Sequence, residues 1–275
     1  MNQESRPAPV LSPQNLVTLG NLACGVGAML LAVQAVLLDE PQRFYHAALW
    51  MVLATFLDAI DGKLARFTGT ASPLGAQLDS LADAVTFGVA PGVLASALVL
   101  ALGPEHGLAL HPRLILVAPI VYACCAVLRL ARFNVDQECK DLGAAHAHFI
   151  GLPTPGAAAL PIALVLFYFG VADMKLVQFE PATVEAWRAW MLRLIPVSLI
   201  ALAILMVSRV PYPHFFAWMT RSPQPVATLA KFVVLAGVLF LEPEAALLLM
   251  AVLFTAVPLL RLIPALVRRP RTRAA

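Results

Sequence analysis

Four aspartates lie where an apolar chain carries charge at greatest cost: Asp58 and Asp61 inside one long hydrophobic run, Asp79 and Asp83 at the head of the next. An ionisable side chain within a membrane helix points by default to function. Spacings of three and four residues put each pair on one face of its helix. The stretch between the pairs, 62–78, is short enough to make the two helices antiparallel neighbours, so all four carboxylates converge at one end of a bundle. Carboxylates gathered in a medium of low dielectric repel one another unless a cation neutralises them. Ligation by oxygen alone suits Mg²⁺, Mn²⁺ or Ca²⁺, and Mg²⁺ in particular is held by a few carboxylates together with substrate phosphates. The implied substrate is a phosphate or diphosphate ester. Gly62 beside Asp61, Ala65 one turn on and Gly75 before Asp79 would let a bulky nucleotide come close to the backbone, and Arg66 offers a guanidinium for phosphate or carboxylate.

The elements that must position these residues are membrane helices. Of the 275 residues, 60% are hydrophobic and 13% charged, against about 25% charged in a soluble domain, and mean hydropathy is +0.82. A span needs about 20 mostly apolar residues. About eight candidates are centred on 16–38, 44–64, 80–102, 114–130, 149–172, 191–208, 226–241 and 245–260, which predicts an all-α, polytopic transmembrane bundle. Arg193 and Lys231 fall near helix ends, where long basic side chains snorkel to the interface. Placing the N-terminus inside puts most basic residues, among them Lys63, Arg66, Arg129, Arg132, Lys140 and Arg268, on the cytosolic side, as the distribution of lysine and arginine in membrane proteins favours. Both termini and the aspartates are thus expected to face the cytosol. The chain divides into a cytosolic segment 1–15, a membrane core 16–208, additional C-terminal transmembrane helices 209–267 and a basic cytosolic tail 268–275.

Other features exclude alternatives. The net charge of +3 is spread over several short segments, so no nucleic-acid partner is expected. Cys24, Cys124 and Cys125 sit in apolar runs and Cys139 in a polar one, without a disulfide or zinc spacing. The first fifteen residues are polar, and the first apolar run is long enough to span, so no cleaved signal is expected. His146 and His148 have no third ligand nearby and read as loop histidines. An ion-coupled transporter would place its carboxylates near the midplane on broken helices, whereas these lie at one end.

The segment Asp58-Ala-Ile-Asp61-Gly62-Lys-Leu-Ala65-Arg66, then eight residues, Gly75, three residues, Asp79, three residues and Asp83, matches at every defining position the signature of the CDP-alcohol phosphotransferases, and the chain resembles that family. The resemblance implies a six-helix catalytic core and commonly a homodimer. It assigns Asp58, Asp61 and Asp79 to two divalent metals, Mg²⁺ or Mn²⁺, that also touch the diphosphate of a CDP-linked donor. Asp83 belongs to the same metal-binding set and is the general base. Gly62 and Ala65 line the cytidine pocket with Arg66 nearby, and Gly75 and Asn21 are assigned to the same CDP-binding site.

The signature is shared by enzymes that use different alcohols, so the acceptor must be read elsewhere. Asn15-Leu-Val-Thr-Leu-Gly-Asn21, Leu128-Arg129-Leu-Ala-Arg132-Phe-Asn134 and Gly151-Leu-Pro-Thr-Pro155 resemble stretches of the bacterial and archaeal branch that transfers phosphatidyl from CDP-diacylglycerol to L-serine in the bilayer. Serine carries a carboxylate, for which an arginine fork is the natural partner. Arg129 and Arg132, three residues apart near the cytosolic end of their helix, are the candidates. Choline would call for an aromatic cage, and glycerol 3-phosphate for a denser basic cluster. Pro153 and Pro155 restrict the backbone ahead of the next helix, so 151–155 is expected to shape the acceptor pocket or simply to start that helix.

Overall fold

The structure is a computed structural model that describes residues 12–68, 72–108, 110–141, 151–176, 178–212 and 237–267, with the side chains of 63, 65–68, 137–141 and 261–267 left out of the description. Among the described residues it is helical throughout, without strands. Helix α1 (Pro13–Leu37) begins where Ser12 accepts a hydrogen bond from the Asn15 N–H at 3.2 Å. That side-chain acceptor with proline at the first helical position is a strong start signal. Helix α2 (Gln42–Thr68) returns along α1. Helix α3 (Pro73–Asp83) repeats the same start, with Ser72 accepting from the Gly75 N–H at 3.0 Å.

At Asp83 the regular helix gives way to a π-helical turn, Ala84–Val89, before resuming as α4 (Ala90–Leu102). The wider turn brings Thr86, Phe87 and Gly88 into the interior, and the Tyr122 hydroxyl donates to the Phe87 carbonyl at 3.0 Å. Helix α5 (Pro112–Asp141) supplies that tyrosine, followed by α6 (Thr154–Gly170), α7 (Pro181–Val207) and α8 (Pro243–Val267). Phe44, Met51, Phe87, Leu94, Leu98, Tyr122, Leu166, Leu192 and Leu199 fill the core where α2, α4, α5, α6 and α7 meet.

Seven of these elements, with α3, the π-turn and α4 counted together as Pro73–Leu102, are long and apolar enough to cross a membrane. The expected span at 226–241 falls largely outside the described residues. Several boundaries differ from the hydropathy reading. The third span starts at Pro73 rather than 80, so Asp79 and Asp83 sit in its second and third turns. Helix α5 runs on to Asp141, and α7 starts at Pro181 instead of 191. An apolar window ends where polar residues begin, but backbone hydrogen bonding does not. Arg132 and Asp136, four residues apart with Nε and Oδ2 at 3.9 Å, form a pair that suits helix continuation.

Two glycines set the packing around the site. Gly25 on α1 meets the π-turn so closely that a Cβ there would lie 2.6 Å from Thr86 Oγ1 and 2.8 Å from Thr86 Cα. Small residues allow membrane helices to approach in this way. Gly151, ahead of α6, has φ +99°, and a Cβ would strike the Met206 carbonyl at the end of α7. Its N–H donates to the Val210 carbonyl at 2.9 Å, and that of Leu152 to Leu205 at 3.1 Å, so the start of α6 is stitched to the end of α7.

Gly25→Ala is therefore expected to destabilise the protein by about 1–3 kcal/mol through overpacking against a backbone atom. Gly20→Ala, whose Cβ would meet only the Leu57 side chain at 3.5 Å, should be neutral or stabilising by up to about 1 kcal/mol. Thermal unfolding of the two variants in detergent checks the contrast: equal midpoints would mean that the α1 contact with the π-turn is not tight.

A candidate metal centre and acceptor arm

The last turns of α2 carry Asp58 and Asp61, and α3 carries Asp79 and Asp83. One carboxylate oxygen from each of Asp58, Asp61 and Asp79 falls within 4.8 Å of the others, and the Asp83 carboxyl lies against that of Asp58. The convergence expected from the spacing is present. Asp61 is buried, and the other three are half-buried.

Helix α1 forms the third wall. Thr18 donates its hydroxyl to Asp61 Oδ2 at 3.2 Å, and Asn21 donates its amide N–H to Asp83 Oδ1 at 3.4 Å. Thr86 from the π-turn donates to the Asn21 carbonyl at 3.3 Å, which holds α1 beside Asp83. Thr18 and Asn21 are completely buried. Thr18 was not among the residues expected from the sequence, although Asn15, Thr18 and Asn21 form a polar stripe at intervals of three in an otherwise apolar helix, a pattern that was open to reading.

The electrostatics call for a cation. Two unit charges 4.8 Å apart repel by about 3–4 kcal/mol at an effective dielectric near 20, more than the roughly 1 kcal/mol net gain of an ordinary hydrogen bond. Thr18 and Asn21 orient the carboxylates without offsetting that repulsion. Among the described residues no lysine or arginine forms an ion pair with the cluster. The residues present fit a hard divalent metal: the donors are all oxygen, and Asp79 Oδ1 is buried with no hydrogen-bond partner.

The other expected residues are distributed unevenly. Gly62 is exposed, and a Cβ there would meet nothing within 4 Å among the described residues. Gly75 is buried, and the space beside it holds Asn15 Oδ1 at 3.2 Å and Gln14 Nε2 at 3.3 Å from a would-be Cβ. In this structure it serves the packing of α1 on α3. Ala65 and Arg66 lie in the last turns of α2, with side chains outside the description, as is that of Lys140, while His146 and His148 lie outside the described residues altogether. A cavity of about 380 Å³ between Tyr45, Phe169, Glu242 and Glu244 is at the opposite end of the bundle from the aspartates.

The two arginines of α5 part company. Arg129 is half-buried and donates from Nη1 to Thr154 Oγ1 at 2.7 Å, with its guanidinium 5.3 Å from the centre of the Phe133 ring. It is close enough to Asp83 for their charges to interact. Arg132 is exposed and turned to Asp136. Three residues along a helix are still rotated by about 60°, and that rotation separates an inward from an outward position. Asn134, the last residue of the same motif, accepts from the Ser80 hydroxyl at 3.1 Å and ties α5 to α3.

Comparison with known proteins agrees with this geometry. Residues 12–186 match the CDP-alcohol phosphatidyltransferase family. The chain is 32% identical over 200 residues to the CDP-diacylglycerol–serine O-phosphatidyltransferase of Bacillus subtilis (strain 168), covering 73% of this chain and 89% of that protein. It is 34% identical over 169 residues to the Helicobacter pylori (strain ATCC 700392 / 26695) protein of the same name, covering 61% of each. A third of that name, from Methanocaldococcus jannaschii, is 34% identical over 151 residues, covering 55% of this chain and 59% of the relative. With the family's matched region containing all four aspartates and the helices that gather them, this chain belongs to the CDP-alcohol phosphatidyltransferase family.

Proposed function

We propose that this protein transfers the phosphatidyl group of CDP-diacylglycerol to L-serine, giving phosphatidylserine and CMP. The observation that carries the proposal is the convergence of Asp58, Asp61 and Asp79 within 4.8 Å, with Asp83 beside them, at one end of a membrane bundle. The names of its relatives support serine as the acceptor.

Asp58, Asp61 and Asp79, with Asp83 at their edge, would hold two divalent ions, Mg²⁺ or Mn²⁺. Bound there, the metal supplies neutralisation of the diphosphate and of the departing CMP. Gly62, Ala65 and Arg66 form the nucleotide side of the site, with Gly75 and Asn21 holding α1 and α3 in register beneath it. Asp83 takes the proton of the serine hydroxyl as its oxygen bonds to the phosphatidyl phosphorus. The bond from that phosphorus to the bridging oxygen breaks, and CMP leaves with the oxygen. Asn21, bonded to one oxygen of Asp83, and Asp58, against which the same carboxyl lies, restrict its orientation for proton transfer. Arg129 takes the serine carboxylate, with Arg132 at the rim. The acyl chains stay in the lipid while serine and CMP exchange with the cytosol, on which side both termini lie. The catalytic unit is 16–208, extended by 209–267 and the tail 268–275, and it works as a homodimer in the cytoplasmic membrane.

Removal of divalent metal from the purified protein should abolish CMP release, and added Mg²⁺ or Mn²⁺ should restore it. Full turnover in excess chelator would sink the metal centre. Among the aspartates, Asp83→Asn should lose turnover while largely keeping affinity for CDP-diacylglycerol, whereas Asp61→Asn should weaken both. Donor titration that finds the reverse pattern would require the roles to be exchanged. Arg129→Ala should raise the KM for serine roughly ten- to a hundred-fold, as loss of a charge-assisted hydrogen bond does, and more than Arg132→Ala. Lysine at 129 should rescue only in part, because it lacks the planar fork. Steady-state kinetics with serine and serine amide checks this, and equal use of the two by the parent enzyme would reject a carboxylate site.

A further inference from the structure

Arg129 is a long, flexible side chain assigned above to the acceptor, and such a chain carries about 2 kcal/mol of rotamer entropy. To recognise a small amino acid it must be held. One of its five N–H donors is used by Thr154 Oγ1, at 2.7 Å, and the Phe133 ring lies along the guanidinium at 5.3 Å. Thr154 is the first residue of α6 and is completely buried. Its hydroxyl has no capping role in its own helix, since Pro153 occupies the N-cap position, with φ −64° and ψ 144°.

The backbone under Thr154 is unusually fixed. Gly151 and Leu152 donate to the carbonyls of Val210 and Leu205 at 2.9 and 3.1 Å. The positive φ of Gly151 and the closeness of Met206 leave no room for a side chain there, and the two prolines flanking Thr154 restrict the chain further. The threonine oxygen is therefore a point fixed by α6 and α7 together, and it reaches across to α5.

We propose that Thr154 is a positioning residue for acceptor recognition: it anchors the Arg129 guanidinium from the α6 side, so that the rigid turn at 151–155 sets acceptor specificity through Arg129 without touching the acceptor itself. The inference rests on the reading of Arg129 as the carboxylate-binding group. It gives the Gly151-Leu-Pro-Thr-Pro155 segment a defined task, which is to hold one hydroxyl at a fixed place.

The test compares Thr154→Val, which keeps the shape and removes the hydroxyl, with Thr154→Ser, which keeps the hydroxyl, alongside Arg129→Ala in the full-length protein. Thr154→Val should raise the KM for serine about ten-fold while the KM for CDP-diacylglycerol stays within about two-fold. It should also narrow the preference for serine over serine amide, and Thr154→Ser should restore most of both. A purely structural threonine would lower the unfolding midpoint without splitting the two KM values, and that result overturns the proposal. If Arg129→Ala raises the serine KM and Thr154→Val does not, the positioning role falls while the acceptor assignment stands. If Arg129→Ala leaves the serine KM unchanged, the acceptor assignment itself falls and takes the positioning role with it. Should Thr154→Val not be obtained folded, Thr154→Ala lacks the same hydroxyl in a smaller side chain and is read by the same criteria.

Discussion

Mutual repulsion of carboxylates held at one end of a membrane bundle is the constraint on which the rest of the structure depends. Three oxygens within 4.8 Å of one another are an arrangement that a chain free to relax would avoid. Two helices must be tied side by side at a fixed height, and α1 must close against both. The capped starts of α1 and α3, each with a serine oxygen and a proline, fix where these helices begin and so the depth of Thr18 and Asn21 on one and of Asp79 and Asp83 on the other. A cation is the partner that makes such a cluster favourable, and Asp79 Oδ1, buried without a hydrogen-bond partner, is an oxygen donor suited to one.

The polar stripe on α1 and the π-turn after Asp83 solve one problem together. A regular helix from Pro73 to Leu102 would carry Thr86 and Phe87 to other faces. With the wider turn, Thr86 reaches the Asn21 carbonyl, and Phe87 places its own carbonyl against the Tyr122 hydroxyl. π-turns recur at functional sites, and here the turn immediately follows the proposed base. Gly25 is what allows α1 close enough to use it. Orientation of two aspartates by Thr18 and Asn21 is thus a consequence of helix packing as much as of their own chemistry.

At the other end the bundle is closed by a separate polar network. His106 contacts the Tyr168 hydroxyl at 2.7 Å and Glu185 at 3.3 Å, and Arg188 bonds Glu185 at 3.0 Å and the Tyr168 carbonyl at 3.2 Å. Nearby, buried Glu242 accepts the N–H groups of Lys175 and Leu176, and Tyr45 bonds Glu244 at 2.8 Å. These contacts satisfy polar groups where α4, α6, α7 and α8 end or begin, far from the aspartates. Chemistry and closure are divided between the two ends of the same helices.

By itself the sequence determined the membrane class, seven of the spans and the convergence of the aspartates, because each follows from local rules: apolar length, helical periodicity, and a connection too short to separate neighbours. It also carried the family signature whole. Hydropathy misplaced the starts of the third and seventh helices and the end of the fifth, since helical hydrogen bonding continues through polar turns that an apolar window discards. Tertiary structure alone decided which polar residues face which. Arg129 and Arg132 look equivalent in a linear motif, yet a rotation of about 60° sends one to Thr154 and the other to Asp136. Gly75 is flanked by Gln14 and Asn15 of α1. Thr18 and Thr154 gain their partners across 43 and 25 residues of sequence, contacts that local pattern cannot encode because they exist only once separate helices have packed.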